Sequence, residues 1–215
     1  MAARFVEDAA SAVLDTAQEL LARGLVDVTS GNVSARRCDG ALCITPTSLD
    51  CRVMTLDDLV VVDPSGQVVG GWRQPSSEMS LHLACYAAFP EVAGVVHSHA
   101  LHASMFAVAR QSVPAAVDEL AMYAGGEIAV ADYAPSGSVA LGDAAVRCLA
   151  DRGATLLANH GMVAVGRSPA DALHITTVVE RAARIVAGAR ALGRVVALPG
   201  PGEDALHAYR SARHG

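Results

Sequence analysis

The sequence predicts an α/β fold, a sheet sandwiched between helices, and three observations predict it. Apolar stripes at helical spacing lie near both ends of the chain, over residues 4–22 and from Ser168 to about Leu192. Between them, short apolar runs rich in Val are separated by turn signals such as Asp39-Gly40 and Pro64-Ser65-Gly66. The apolar residues, 52% of the chain, are mostly Ala, Val and Leu, and aromatics make up only 4%. No internal repeat, linker or low-complexity stretch divides residues 1–215, so one domain is expected.

In order, Phe5, Ala9, Val13, Leu14, Ala17, Leu20 and Leu21 mark the buried stripe of the first helix, and Gly24 lies just past its end. Val33 to Arg36 reads as a strand, Asp39-Gly40 as a hairpin turn, and Ala41 to Thr45 as the return strand. Leu59 to Asp63 and Gln67 to Gly70 form a second pair around Pro64-Ser65-Gly66. Ser76 and Ser77 suit a helix N-cap and Glu78 a first turn; Leu81, Cys85 and Phe89 then line one helical face. Val92, Val95 and Val96 lead a strand into His97-Ser98-His99, and His102 to Val108 continues as a helix. In Val113 to Gly126, Asp118-Glu119 interrupts an apolar segment. Glu127 to Val130 is read as a strand, Leu141 to Arg152 as a helix, and Ala154 to Ala158 as a strand ending at Asn159-His160-Gly161. Met162 to Val165 pairs with it, and Ser168-Pro169 with Asp171 opens the last long helix. The tail after about residue 199 is polar and is expected to be loosely ordered.

Composition removes several function classes. A net charge of -6 argues against a nucleic-acid partner, which demands a basic surface. No apolar run approaches the roughly 18 residues of a membrane span, and the first residues lack a signal-like apolar stretch, so a cytoplasmic protein is expected. Cys38, Cys43, Cys51, Cys85 and Cys148 are odd in number with no C-x-x-C pair, which fits free thiols in a reducing compartment. All 16 basic residues are arginine. Without lysine there is no Schiff-base or pyridoxal-phosphate chemistry, and no P-loop.

The residues that carry chemistry sit at loop junctions. His97 and His99 share one face of a strand, about 7 Å apart by its rise, and His160 follows another buried strand. Three neutral imidazoles with a fourth position open make a catalytic zinc site. Each element has a blander reading: two histidines near a surface turn, and a Glu78 that only complements a helix dipole. His82, four residues after Glu78, has the spacing of a metal pair but also of a hydrogen-bonded core histidine; His102, His174, His207 and His214 show no partner pattern. A second group, Ser30, Gly31, Asn32, Thr47, Ser48, Ser76 and Ser77, places small donors on three loops. They read either as ordinary turn and cap chemistry or as a phosphate cradle at a helix N-terminus.

The ordered motifs G-N-V-S, I-T-P-T, P-S-S-E, H-S-H and N-H-G resemble the class II aldolases of the L-fuculose-phosphate and L-ribulose-phosphate-epimerase type, from the first helix to about residue 195. The resemblance implies a three-layer α/β/α fold with a central, mainly antiparallel sheet flanked by helices. It also implies a homotetramer with active sites between subunits. By motif, His97, His99 and His160 correspond to the zinc ligands; manganese or cobalt also suits imidazole ligands. Glu78 corresponds to the catalytic acid/base, able to touch the metal when no substrate is bound. Gly31, Asn32, Thr47, Ser48, Ser76 and Ser77 correspond to the phosphate-binding loops, and Tyr209 to a C-terminal tyrosine that closes over the site. Two positions depart from the pattern: Ser48 stands where the family often has glycine, and Asp118 and Glu119 occupy a segment that carries an active-site tyrosine in fuculose aldolases. The implied activity is reversible retro-aldol cleavage of a ketose 1-phosphate, such as L-fuculose 1-phosphate, to dihydroxyacetone phosphate and an aldehyde. The alternatives are a decarboxylase or dehydratase of a sugar-acid phosphate on the same metal site, and a non-catalytic adducin-like binding module.

Overall fold

The computed structural model describes residues 5–199. Tyr209, His207, His214 and the tail beyond residue 199 lie outside the described residues. Within them, α1 (Ala9–Ala22) leads into two antiparallel hairpins, β1 (Asn32–Arg36) with β2 (Leu42–Ile44) and β3 (Val60–Val62) with β4 (Val68–Gly70). Then come α2 (Met79–Ala88), β5 (Gly94–Ser98), α3 (Leu101–Ala109) and α4 (Asp118–Ala124). The chain continues through β6 (Val130–Ala131), α5 (Val139–Leu149), β7 (Ala154–Leu157), β8 (Gly161–Gly166) and α6 (Pro169–Leu192).

The strands form one eight-stranded sheet in the order β4-β3-β2-β1-β5-β8-β7-β6, antiparallel except for the β6–β7 pair. Strand side chains alternate between faces, and the core divides accordingly. Val33, Val96, Leu156 and Ala164 pack under α1, α3, α4 and α6. Ile44, Val95, Leu157 and Val163 pack under α2 and α5. The molecule is thus a three-layer α/β/α sandwich. No described helix is long and apolar enough to cross a membrane.

Three local expectations are corrected. The first helix starts at Ala9 rather than residue 4, because the Asp8 carboxylate accepts the Ser11 N–H at 3.0 Å and caps it there; Phe5 is 52% exposed. Asp118 and Glu119 do not interrupt a segment but open α4, where acidic side chains complement the helix dipole. The strand expected over Glu127 to Val130 shrinks to β6, since Ile128 is bridged instead to Val113.

Candidate metal centre

The sheet order builds the centre. β5 lies between β1 and β8, with Asn32 opposite His97 on one side and Ser98 opposite Met162 on the other. Because β5 and β8 are antiparallel, the end of one meets the start of the other. His99 lies just past β5 and His160 just before β8, so residues far apart in sequence become neighbours. His97 faces the α2 side with Val95, which brings it under the start of α2, where Glu78 sits. Gly161 is required here: a Cβ would lie 2.4 Å from the Ser98 carbonyl oxygen and 3.0 Å from the His99 ring. His97 and His99 do not reach each other by strand alternation alone, because β5 ends at Ser98; the turn brings their ring centroids to 4.8 Å.

Three imidazoles and one carboxylate converge. Ring centroids of His160 lie 4.7 Å from His97 and 5.1 Å from His99. Glu78 Oε2 lies 2.9 Å from His97 Nε2, and Oε1 lies 3.2 Å from His160 Nε2. One donor atom from each of the four residues falls within 4.8 Å of all the others. The chemistry of the donors fits a cation. His97 Nδ1 lies 2.9 Å from the Met162 carbonyl, which only accepts, so Nδ1 carries the proton and Nε2 is left for the cluster. His97 Nε2 and His99 Nε2 then face each other at 2.9 Å, so that His99 Nε2–H donates to His97 in the ion-free protein and a cation takes the place of that proton. Burial, reinforced by the neighbouring rings, lowers His99 to about 4 and His160 below its ordinary value, so both are neutral near pH 7, the form that binds metals. Burial alone would raise the Glu78 carboxyl; with the His97 ring beside it and the Asn32 amide donating to Oε2, the balance instead holds the group below the ordinary carboxylate range.

A cleft of about 260 Å³ opens beside these groups, and Glu78, His99 and His160 line it. His97 is fully buried behind them. All six residues of the expected phosphate cradle, Gly31, Asn32, Thr47, Ser48, Ser76 and Ser77, line the same cleft. The Thr47 N–H donates to the Gln74 carbonyl at 3.1 Å and the Ser76 N–H to that of Thr45 at 3.1 Å, which locks the T-P-T-S loop against the P-S-S-E loop. Gly31, at φ +75°, lets the third loop close in; a Cβ would meet Val26 at 2.4 Å and the His97 carbonyl at 2.9 Å. α2 begins later than the cap residues suggested: Glu78 occupies the N-cap position, and Ser76 Oγ accepts its N–H at 3.2 Å. That frees the Glu78 side chain to turn toward the imidazoles.

Other expected positions fall elsewhere. Asp118 and Glu119 stand on α4 outside the cleft, and Glu119 pairs with Arg181 at 3.1 Å. His82 is a fully buried, hydrogen-bonded histidine. His102 is structural, its Nδ1 2.7 Å from Glu180. The sequence reading missed Ser136, whose hydroxyl donates to Glu78 Oε1 at 3.0 Å from the loop before α5. Its only signal was a loop rich in small polar residues.

Comparison with known proteins shows the family. The profile of the class II aldolase and adducin N-terminal domain matches residues 11–187. The chain belongs to the class II aldolase and adducin family. Within that family it is 36% identical over 173 residues to L-fuculose phosphate aldolase from Escherichia coli K12, covering 80% of each chain. It is also 34% identical to an L-ribulose-5-phosphate 4-epimerase from Salmonella paratyphi A, covering 94% of this chain and 91% of that one. A solved L-fuculose 1-phosphate aldolase superposes with a TM-score of 0.89 at 31% identity and 98% coverage of both chains. Class II aldolases are metal-dependent, and Glu78, His97, His99 and His160 are the described residues able to hold the ion.

Proposed function

We propose that this family member is a zinc-dependent aldehyde-lyase that reversibly cleaves a ketose 1-phosphate, with L-fuculose 1-phosphate as the leading substrate and dihydroxyacetone phosphate and L-lactaldehyde as products. The observation that carries the reading is the juxtaposition of a four-donor cluster with a cleft walled by small hydroxyl and amide donors. A divalent ion held by His97, His99 and His160 supplies Lewis-acid stabilisation of the negative charge that develops when a carbon–carbon bond beside a carbonyl breaks.

The chain's own residues do the rest. Backbone N–H groups and side chains of Gly31, Asn32, Thr47, Ser48, Ser76 and Ser77 hold the phosphate without any lysine, as loop donors at a helix start can. That grip fixes the ketose chain so that its carbonyl end lies toward the imidazoles and Glu78. Glu78 is the acid/base that carries the proton at the ketone-side carbon, and burial beside neutral donors keeps its two oxygens aimed at the reacting end. Homotetramers with sites between subunits fit a further feature: Leu101, Met105 and Val108 are 61%, 49% and 60% exposed along α3, immediately after His99. A cytoplasmic location follows the same reading.

The test is a substrate panel with metal-depleted and zinc-restored protein. Cleavage of L-fuculose 1-phosphate is expected only after metal is restored, and Glu78→Gln is expected to retain zinc and lose about 10²–10⁴-fold in kcat. Full activity of Glu78→Gln would remove Glu78 from its role. Turnover confined to a sugar-acid phosphate would move the protein to the decarboxylases, and absence of bound divalent metal would favour a binding module.

A further inference from the structure

Behind the cleft, four hydrogen bonds run in series through the sheet–α2 interface. Tyr86 and His82 lie four residues apart on α2, a helical rise of about 6 Å. Ser34 and Asn32 lie two apart on β1, about 6.6 Å along a strand. The two pairs therefore interleave. Tyr86 OH is 2.9 Å from Ser34 Oγ, Ser34 Oγ 2.6 Å from His82 Nδ1, and His82 Nε2 2.5 Å from Asn32 Oδ1. The Asn32 amide nitrogen is 3.0 Å from Glu78 Oε2. All five residues are buried, with Ser34 and His82 at 0% exposure.

Only one direction of donation satisfies this series. A carboxylate only accepts, so the Asn32 amide must present its N–H₂ to Glu78 and its carbonyl to His82. His82 Nε2 must then carry the proton. Nδ1 is left with a lone pair, so it accepts from the Ser34 hydroxyl, whose oxygen in turn accepts from Tyr86. Burial supports the neutral ring, lowering His82 to about 3. It also keeps the Tyr86 phenol protonated and able to donate, by pushing its pKa up.

We propose that His82 is a positioning residue: its Nε2–H fixes the orientation of the Asn32 amide, and that amide aims Glu78 at the three imidazoles. Asn32 is thereby committed at its carbonyl and at one N–H, and only its remaining N–H is free for a phosphate. A histidine suits the position because it is rigid and donates at one edge while accepting at the other. No aliphatic side chain of that size offers either.

Two measurements test this, and only the activity arm rests on the aldolase reading. In metal-free, substrate-free protein, long-range ¹H–¹⁵N NMR should show His82 as the neutral Nε2–H tautomer at pH 7; an Nδ1–H tautomer or an imidazolium would overturn the proposal whatever the enzyme acts on. In the second, His82→Leu is expected to weaken Co²⁺ affinity and lower kcat, each by about 10–100-fold, with KM within about threefold. His82→Gln, which keeps an N–H at the same reach, should recover most of both losses. A folded His82→Leu protein with unchanged Co²⁺ affinity and kcat, or a folded His82→Gln protein as impaired as His82→Leu, would contradict it. Should His82→Leu not fold, the tautomer decides alone.

Discussion

The Glu78 carboxylate accepts at both oxygens, Oε2 from Asn32 and Oε1 from Ser136, while His97 Nε2 and His160 Nε2 lie 2.9 Å and 3.2 Å from those same oxygens. Ser136 is the replaceable partner. Ser136→Ala should leave the fold intact and lower kcat about 10–100-fold, the order of one hydrogen bond to a charged group, a loss that steady-state kinetics on the zinc-restored protein would show. Two buried rings also tie stability to pH. His82 and His99 have folded pKa values lowered to about 3 and about 4, from an ordinary value near 6.5. Below about pH 6.5 the unfolded chain therefore binds more protons than the folded one, and folding stability falls as pH drops. Glu78 acts in the same sense lower down, since its depressed pKa contributes stability that is lost below the ordinary carboxylate range. Thermal melts of metal-free protein should decline steadily from about pH 6.5 to 4; a flat profile would mean that these groups are not buried as described. Ser48 holds φ at +55°, a left-handed backbone that glycine enters without steric cost. Ser48→Val should cost about 1–2 kcal/mol in denaturant unfolding, and Ser48→Gly should not destabilise. The grouping of the histidines with Glu78 was legible only from several weak signals taken together, their residue types, their loop-junction positions and the order of the motifs. Ser136 and the His82 series were not, because each acts through a partner 46 to 58 residues away.

At the scale of elements, α3 shows how packing supplies what local sequence lacks. Its N-cap, Ala100, has no capping side chain. The cap comes from α6: the Glu180 carboxylate accepts from the His102 N–H at 3.0 Å, the Ala103 N–H at 2.8 Å and His102 Nδ1 at 2.7 Å. This clamp holds the turn that carries His99. Glu180→Ala should destabilise the protein by about 1–2 kcal/mol, through loss of the cap and of a charge at the helix N-terminus. Metal affinity should fall with it, measurable by chelator competition; unchanged affinity would uncouple the clamp from the site. Elements with self-contained signals were read correctly, including the Asp39-Gly40 hairpin and α6 with its Ser168 cap, where Ser168 Oγ accepts the Asp171 N–H at 3.1 Å. Where something other than apolar periodicity set the boundary, as the Asp8 cap did for α1, the acidic first turn for α4 and the Val113–Ile128 bridge for β6, the apolar pattern misled.

For the whole molecule, the order β1-β5-β8 is what makes a site out of dispersed motifs. Sequence could place each histidine at a strand end; that those ends adjoin follows only from the pairing of β5 with β8. The same topology leaves the α3 row of Leu101, Met105 and Val108 facing outward beside the cleft. If subunits meet there, Met105→Glu should shift the assembly toward smaller species in sedimentation, and an unchanged sedimentation profile would place any contact elsewhere. The central claim is that one cation gathers three imidazoles and Glu78. Metal K-edge X-ray absorption of the zinc-loaded, substrate-free protein tests it most directly. It should report one zinc per chain with three nitrogen ligands at about 2.0–2.1 Å and oxygen completing the shell, and this signature should vanish in a His99→Ala, His160→Ala double variant. Sulfur ligation, or zinc retained unchanged by that variant, would contradict the account.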